Sequence, residues 1–527
     1  MPSNMKRAFM MVLLLFLGGV GAEISAILLI NSGHLVYTLD DAYIHLSLAE
    51  NIARGHYGVN LGESSSPSSS ILWPFLLAPV AGSALGTLVP LVLNVLVSVG
   101  TVFLFWRVVG VAMGDYQTDV VSSTAVPTLL VSLLIVATNL IGLIFTGMEH
   151  SLQVFLVTLI VWGLIQESRG GKAHWWLVLP LVLAPLVRYE SLAISVPGLL
   201  YLFLRRHRKE ALTAAVVLGM ALWGFSAFLV HLGLDPLPDS TMVKSKVVSS
   251  GGNLRLMVRH FGGSLNNPRG SILAAVCLAL CWLARSGGRK PAERLFAWCI
   301  ASGVALHLLA GEYGWYSRYE IYIWTASILS VLYLGREALS RRLARDGPYA
   351  VGFLAGLTVV LTCLPYIQVL ATTPLASNNV YQQQRQIRRF AVEYYKKPIA
   401  VNDVGYPSYG NDAYVLDVAG VASSEALKAL KRGDTAAWFE AASRVHDVRL
   451  AMIYGAWFAP IADRWIKIGE LHLGREKISV NNEAVEFYAR DDETREAVIP
   501  LLRSFAATLP EGARFTFSDS NRGAPEN

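Results

Sequence analysis

The sequence predicts an α-helical protein that crosses a membrane many times and carries a soluble α/β domain in its C-terminal part. Of the 527 residues, 54% are hydrophobic and only 16% are charged, whereas soluble globular proteins have about 25% charged residues. Apolar runs of about 20 residues, each long enough to cross a ~30 Å hydrocarbon core, recur up to position 369. Beyond that point short apolar strands alternate with amphipathic helices.

About eleven spans are predicted within residues 1–369, the transmembrane domain. They lie at about 8–30, 88–108, 125–146, 148–166, 174–188, 191–204, 211–231, 271–285, 294–311, 319–335 and 348–369. The segment 69–86 is also apolar, but it contains Pro74 and Pro79 and begins in a Ser/Pro-rich stretch. We therefore expect it to lie at the membrane interface, inside a large first outer loop that comprises residues 31–87.

Basic residues in the short loops predict the orientation. With eleven spans and a cytoplasmic start, one face receives seventeen Lys and Arg residues, which the positive-inside rule makes cytoplasmic: Lys6, Arg7, Arg107, Arg169, Lys172, Arg205, Arg206, Arg208, Lys209, Arg285, Arg289, Lys290, Arg294, Arg336, Arg341, Arg342 and Arg345. The first outer loop then lies outside the cytoplasm. The small net charge of +6 reflects these loops and does not indicate nucleic-acid binding.

Residues 370–527 are predicted to form the soluble α/β domain. Strands are expected at 399–402, 415–418 and 449–454, and helices at 424–431 and 436–445. An odd number of spans places this domain on the same outer face as residues 31–87.

Two adjacent acids open an amphipathic helix in the first outer loop. Asp40 suits an N-cap and Asp41 a first-turn carboxylate that the helix dipole favours. One of them could equally act as a general base, with its pKa raised by partial burial and by the neighbouring acid. The residues alone leave both interpretations open, and we assign Tyr43 and His45 beside them to substrate positioning.

Two further turns on the same face carry charges. Glu149 and His150 lie where the third span turns into the fourth, either as a hairpin tip or as a second carboxylate that binds a metal or positions the acceptor. Arg188 and Glu190 join two spans with almost no loop. Charges near membrane depth usually face a partner or a polar cavity, so an ion pair and a phosphate site are both open.

Cations also follow later spans. Lys244 ends a loop rich in Pro, Ser and Thr and suits a phosphate. Arg318 and Tyr319 lie near the start of the tenth span. They could belong to an interfacial aromatic belt, or the arginine could bind a lipid phosphate. A phosphate leaving group needs cations and an attacking hydroxyl needs a base, and one face offers both. The inner loops contain no Gly-rich phosphate loop, which favours a membrane-borne donor over a nucleotide sugar.

These motifs resemble the integral-membrane glycosyltransferases of the GT-C superfamily, and within it the bacterial arabinofuranosyltransferases of the AftB and TfpW type, which act on cell-wall polymer or pilin. The resemblance covers nearly the whole chain. It is carried by Asp40-Asp41-Ala-Tyr-Ile, Ser65-Ser-Pro-Ser-Ser, Thr146-Gly-Met-Glu, Arg188-Tyr-Glu, Pro238-Asp-Ser-Thr, Ser317-Arg-Tyr, Tyr381-Gln-Gln-Gln and Ala400-Val-Asn-Asp-Val-Gly. One departure is Tyr189, where the family pattern has proline.

The resemblance implies that a sugar, arabinofuranose in this subgroup, moves with inversion from a polyprenyl-phosphate donor to a hydroxyl of an envelope glycan or a pilin-like surface protein. The enzyme would lie in the bacterial inner membrane with its active site and C-terminal domain on the periplasmic face. The implied roles are base for Asp40, support or metal binding for Asp41, second acid or metal ligand for Glu149, phosphate binding for Arg188, Lys244 and Arg318, and substrate positioning for His150, Glu190 and Tyr319. A divalent cation (Mg, Mn or Ca) is the one cofactor considered, since some members use it and others do not.

Two other functions fit a polytopic membrane protein. A transporter or flippase of lipid-linked sugars would be expected to carry charged groups at mid-membrane depth and internal repeats, whereas Glu23 is the one clear mid-span acid in the sequence. An O-antigen-type polymerase or ligase would use outer-loop arginines but has no need for the paired acids after the first span.

Overall fold

The computed structural model describes residues 3–114, 120–244 and 254–518 of the chain. The helices of the N-terminal part are, in order, α1 Ser3–Ile30, α2 Asp41–Ala53, α3 Trp73–Ala81, α4 Val89–Met113, α5 Val120–Ala137, α6 Leu140–Ile144, α7 His150–Gly170, α8 Val178–Val187, α9 Leu192–Leu204, α10 Arg208–His231, α11 Asp239–Lys244, α12 Leu254–Asn266, α13 Pro268–Arg285, α14 Pro291–Ala310, α15 Ile321–Leu334 and α16 Arg336–Ala371. Short 3-10 turns precede α4, α8 and α9.

Seven of the described helices are long and apolar enough to cross a membrane, so the chain is a multi-pass membrane protein. They span 3–30, 86–113, 150–170, 208–231, 268–285, 291–310 and 336–371. Four shorter apolar helices, at 124–137, 175–187, 189–204 and 321–334, coincide with the four remaining predicted spans. The total of eleven membrane crossings stays a prediction.

Large apolar side chains on the outside of the helical bundle agree with a lipid environment. Leu29, Trp223, Leu278 and Phe353 are largely exposed, which would be costly in water and is favourable against hydrocarbon chains. Between the spans, α3 has nine residues, and at 1.5 Å per residue such a helix is too short to cross a ~30 Å core. The prediction that segment 69–86 does not span the membrane agrees with this length.

The last span, α16, is broken near its start. Gly347 has a φ of +77°, outside the helical region, and Pro348 follows it. Glycine tolerates positive φ without a steric penalty, and proline restricts the residue before it to non-helical conformations. The basic segment before Gly347 is thereby separated from the apolar helix after it, where the sequence predicts the span to begin.

The C-terminal domain is built on one six-stranded mixed sheet. Its elements are helices α17 Thr373–Gln382, α18 Gln384–Arg389, α19 Gly405–Ser408, α20 Ser424–Arg432, α21 Thr435–Val445, α22 Ala459–Ala462 and α23 Asp492–Ala506, and strands β1 Ile399–Val401, β2 Val415–Asp417, β3 Leu450–Ile453, β4 Ile466–His472, β5 Ala484–Ala489 and β6 Arg514–Phe517. The strand order is β2-β1-β3-β5-β4-β6. β1 pairs in parallel with β2 and β3, and the other pairings are antiparallel.

This domain is held against the first outer loop by specific contacts. The Asn60 side chain donates to the carbonyl of Val415 at 2.9 Å and accepts its N–H at 2.8 Å, which extends the bonding of β2. Tyr43 stacks on Tyr406 with ring centroids 3.7 Å apart. Buried polar and aromatic contacts of this kind fix one relative position, because each lost hydrogen bond would leave a desolvated group. The first turn of α2 therefore lies between the helical bundle and the C-terminal sheet.

Candidate functional site

The predicted site residues meet where several helices begin on one end of the bundle. α2 starts at Asp41, α7 at His150 and α15 at Ile321, and the turns before them carry Asp40, Glu149 and Arg318. Gly147 allows the turn before α7, because its φ is +68° and a Cβ there would lie 2.6 Å from the Tyr37 ring. Residues more than 250 positions apart in the sequence are thereby brought into contact.

Arg188 is the centre of a buried ion-pair cluster. Its side chain is 3% exposed, and its guanidinium donates to Glu149 at 2.9 Å, to Ser69 at 2.9 Å and to Glu190 at 2.5 and 3.1 Å. The second Glu149 oxygen lies 3.3 Å from His45 Nε2. Two carboxylates hold one guanidinium in a fixed orientation, which is how a planar bidentate donor is pre-organised. The ion pair of Arg188 with Glu190, one of the two interpretations that the sequence left open, is present, and Glu149 joins it.

Tyr319 connects this cluster to a second buried arginine. The guanidinium carbons of Arg188 and Arg318 lie 5.8 Å and 5.1 Å from the centre of its ring. Arg318 is fully buried and forms an ion pair with Asp41 and a contact with Met148. His150 lies beside the same tyrosine, with ring centroids 6.5 Å apart. Two arginines therefore share one aromatic ring, and the second reaches the acids of the first outer loop.

Asp40 makes a contact that the sequence did not indicate. It precedes α2, but its side chain makes no capping bond to that helix. Instead its two carboxylate oxygens accept the backbone N–H groups of Gly405 and Tyr406, at 2.8 and 2.7 Å, at the start of α19. Of the two interpretations that the sequence left open for Asp40, the N-cap of its own helix is not observed, because the first-turn N–H groups of a neighbouring helix bind the same carboxylate.

Asp403 lies next to Asp40 and is a third acid of this region. It follows β1, and its carboxylate accepts hydrogen bonds from Gln384 Nε2 and the Tyr454 hydroxyl, both at 2.9 Å. Burial raises the pKa of Asp40 well above its ordinary value, and repulsion by Asp403 raises it further. Burial also raises the pKa of Asp403, with Asp41 adding to the effect. A carboxylate with a raised pKa accepts a proton more readily near neutral pH.

A cavity of about 470 Å³ opens beside Arg188 between α9, α11 and α14. Its walls are mainly apolar and include Leu192, Val196 and Leu306. Ser69, Ser240, Thr241 and His307 add polar atoms to the lining, and Ser69 accepts a hydrogen bond from Arg188. Within the described part of the chain, the hydroxyls of Ser240 and Thr241 and Nε2 of His307 are buried without a hydrogen-bond partner. An apolar cavity with a few polar groups in its wall suits an amphiphilic ligand.

The structure thus brings together most of the predicted site residues. Asp41, Arg318, Tyr319, Arg188, Glu149, His45, Glu190 and His150 form one contiguous cluster, and Asp40 adjoins it. Tyr43 points elsewhere: its hydroxyl accepts the N–H of Tyr37 at 3.1 Å and its ring packs on the C-terminal domain. The side chain of Lys244 lies outside the described residues, although its backbone ends α11.

A divalent cation does not find a ready set of ligands here. Asp41 and Glu149 belong to different ion pairs, with Arg318 and Arg188. Among residues 3–114, 120–244 and 254–518, no group of three or more Asp, Glu, His or Cys side chains could hold a metal ion. The arginines already balance these acids, and the sequence leaves metal dependence open.

Several residues at the site were missed from the sequence. Asp403 and Gln384 belong to segments that carried the resemblance, but no role was assigned to them. A usable signal exists for Asp403, since it follows a parallel strand at the carboxyl end, where functional groups of α/β sheets collect. Ser240 and Thr241 also belong to a segment that carried the resemblance, Pro238-Asp-Ser-Thr, and no role was assigned to them. Trp315 and His307 had no such signal, because only the packing of distant segments creates the two cavities that they line.

Comparison with known proteins gives limited matches. The family described as Domain of unknown function (DUF8728) matches residues 378–488, which belong to the C-terminal domain. No curated protein matches the sequence. Among solved structures, the chain is similar to the oligosaccharyltransferase of Archaeoglobus fulgidus, crystallised with zinc and sulfate, with 11% identity, a TM-score of 0.43, and coverage of 96% of this chain and 75% of that one. A TM-score and identity this low carry no inference about the site.

Proposed function

We propose that this protein is a GT-C-type glycosyltransferase that moves a sugar from a polyprenyl-phosphate donor to an acceptor hydroxyl, on the periplasmic face of a bacterial inner membrane. The observation that carries the proposal is the apolar cavity of about 470 Å³ that ends at the buried Arg188. A lipid-linked phosphate has both parts that this cavity suits: a hydrocarbon chain for Leu192, Val196 and Leu306, and an anion for the arginine end.

The donor phosphate is proposed to lie in the cavity, beside Arg188 and Tyr319. The Ser240 and Thr241 hydroxyls, buried without partners in the described chain, would donate to its oxygens. Lys244, at the end of the same helix, would add a positive charge. Arg188 is already balanced by Glu149 and Glu190, so its contribution is a fixed set of N–H dipoles rather than a free charge. Such pre-organised donors stabilise the charge that develops on a leaving phosphate.

The acceptor is proposed to approach from the side of Asp40 and Asp41. A carboxylate removes the proton of the acceptor hydroxyl while its oxygen forms a bond to the anomeric carbon. The bond between that carbon and the phosphate oxygen breaks, and the polyprenyl phosphate leaves with the electron pair. Attack opposite to the leaving group inverts the configuration. Asp40 is the proposed base because the N–H groups of Gly405 and Tyr406 hold its carboxylate in place and burial raises its pKa. Arg318 orients the neighbouring Asp41.

The test uses the full-length protein in membranes with a polyprenyl phosphate that carries radiolabelled arabinose, and mannose in parallel. Asp40→Asn should lower transfer by about 10²–10⁴-fold, the range for loss of a general base. Asp412→Asn is the matched control, because it makes the same substitution at an aspartate whose side chain is 91% exposed, and it should leave transfer unchanged. Retained turnover in Asp40→Asn would reject Asp40 as the base.

The same assay separates the proposal from a flippase. A flippase moves the labelled lipid between leaflets without breaking the sugar–phosphate bond, so release of free polyprenyl phosphate distinguishes a transferase. Mass spectrometry of envelope glycans and surface proteins from a deletion strain would identify the product, and with it arabinofuranose or another sugar. A reporter fused just beyond residue 40 should be periplasmic, and a cytosolic reporter would refute the orientation.

A further inference from the structure

A second, smaller cavity lies between the first outer loop and the C-terminal domain. Its volume is about 70 Å³, and its walls include Asp40, Asp41, Asp403, Gln384 and Trp315. In the same measure one water needs about 10–15 Å³. The cavity therefore admits one edge of a sugar ring with its hydroxyls, but not a whole oligosaccharide.

Carboxylates and side-chain amides make up most of the polar groups that line this cavity, which also include Ser479. Asp40 and Asp403 are carboxylates, which accept when ionised. Gln384 is 1% exposed, and its Nε2 donates to Asp403 at 2.9 Å and to Gln383 Oε1 at 3.0 Å. These two acceptors fix the orientation of the amide. In the described part of the chain no donor reaches its Oε1, so a buried acceptor remains for a ligand that brings a donor.

Trp315 lines this cavity from the loop between α14 and α15. Its side chain is 44% exposed, which is unusual for the largest apolar side chain at a domain junction. It starts a run of three non-glycine residues with positive φ, namely +40° at Trp315, +62° at Tyr316 and +56° at Ser317. Such conformations cost energy at each position and persist where the surroundings impose them, commonly at functional sites. The run directly precedes Arg318 of the main cluster.

We propose that this cavity binds the terminal sugar unit of a carbohydrate acceptor, with Gln384 and Asp403 as positioning residues and Trp315 as the platform for the sugar face. The inference rests on the proposed function and selects a glycan over a protein acceptor. A serine or threonine side chain offers one hydroxyl donor, whereas the edge of a sugar offers several donors to Asp403, Gln384 and the base. An exposed indole beside these acceptors also suits the C–H face of a sugar ring.

The test measures binding without donor. Full-length protein in lipid nanodiscs is titrated with methyl α-D-arabinofuranoside, methyl α-D-mannopyranoside and methyl β-D-galactopyranoside, and with N-acetyl-threonine methylamide, by saturation-transfer NMR. At least one glycoside should bind and the threonine derivative should not. Trp315→Ala and Gln384→Met should each weaken glycoside binding about tenfold, the effect of one good contact. Trp175→Ala, which replaces a tryptophan that is 82% exposed, and Asp412→Asn should bind like the wild type.

The outcomes are separable from those of the proposed function. Binding of a glycoside that depends on Trp315 and Gln384 supports the acceptor cavity even if donor turnover fails. Three outcomes would overturn the inference and leave the transferase proposal standing. The first is donor turnover without glycoside binding, and the second is glycoside binding that both variants leave unchanged. The third is binding of the threonine derivative in place of the glycosides. Trp315→Ala keeps the test decisive if Gln384→Met misfolds, because removal of a half-exposed side chain should leave the fold intact.

Discussion

The buried cluster around Arg188 predicts a strong and non-additive loss of stability. Arg188 is 3% and Glu149 0% exposed, so Arg188→Met leaves a carboxylate in the bundle with His45 as its nearest remaining neighbour. Breaking a buried ion pair from one side costs about 3–5 kcal/mol. Glu149→Gln should cost less, about 1.5–3 kcal/mol, because Arg188 keeps both bonds to Glu190. The double variant should cost less than the sum, with a coupling of about 0.5–3 kcal/mol.

Thermal unfolding in detergent, followed with a thiol-reactive fluorophore, reports this order. Cys299 and Cys363 are buried and free, so they react when the bundle opens. Arg54→Met is the control, since Arg54 is 45% exposed in its pair with Glu50 and such surface pairs contribute about 0–1 kcal/mol. If Arg188→Met unfolds at the same temperature as Arg54→Met, or if the two single effects simply add, the cluster does not hold these helices together.

Three further predictions concern the two cavities and their junction. Burial and the repulsion by Asp403 raise the pKa of Asp40, so activity is lost as the pH falls through that raised pKa. Asp403→Asn removes the repulsion and should move the acid limb of the kcat/KM profile to lower pH. An acid limb that does not move would contradict the coupling of the two acids. Gly405→Ala should lower activity and weaken the docking of the C-terminal domain, because its Cβ would lie 2.6 Å from Asp40 Oδ2 and overlap the Asp40 carbonyl. Limited proteolysis should then cleave the variant faster than the wild type, and cleavage at the wild-type rate would refute this. Val196→Trp should narrow the larger cavity and raise the KM for the lipid donor without changing the binding of methyl glycosides. Equal effects on the donor KM and on glycoside binding would contradict the existence of two separate subsites.

The helical part of the fold could be predicted because its signal is local. Runs of apolar residues define the spans without knowledge of their neighbours, and each of the eleven predicted segments contains an apolar helix. The C-terminal domain was harder. β1, β2 and β3 were predicted, but β4, β5 and β6 and helix α23 were not. β4 mixes charges with apolar residues, as in Lys467 and Glu470, and its antiparallel pairing with β5 gives no local signal before the chain folds.

The sequence predicts which residues belong to the candidate site, but not which of them pair with each other. Charges at the mouths of spans indicated functional positions, since such charges are costly without a partner. Which acid meets which cation depends on helix packing, so Asp41 with Arg318 and Glu149 with Arg188 emerge only in the structure. Likewise the Asp40 carboxylate accepts hydrogen bonds from the first turn of α19, in the C-terminal domain, rather than from α2. A capping preference of about 1 kcal/mol is easily overridden by tertiary contacts.

The contact between Asp40 and α19 also explains why the C-terminal domain belongs to the site. The same carboxylate that is proposed to take the acceptor proton is held by Gly405 and Tyr406, and Asp403 two residues earlier raises its pKa. A shift of the domain would therefore change the position of the base and its proton affinity together. Since the smaller cavity has walls from both domains, an acceptor that binds there would stabilise the docked arrangement in which Asp40 is set for proton transfer. Acceptor binding and activation of the base would then be one event.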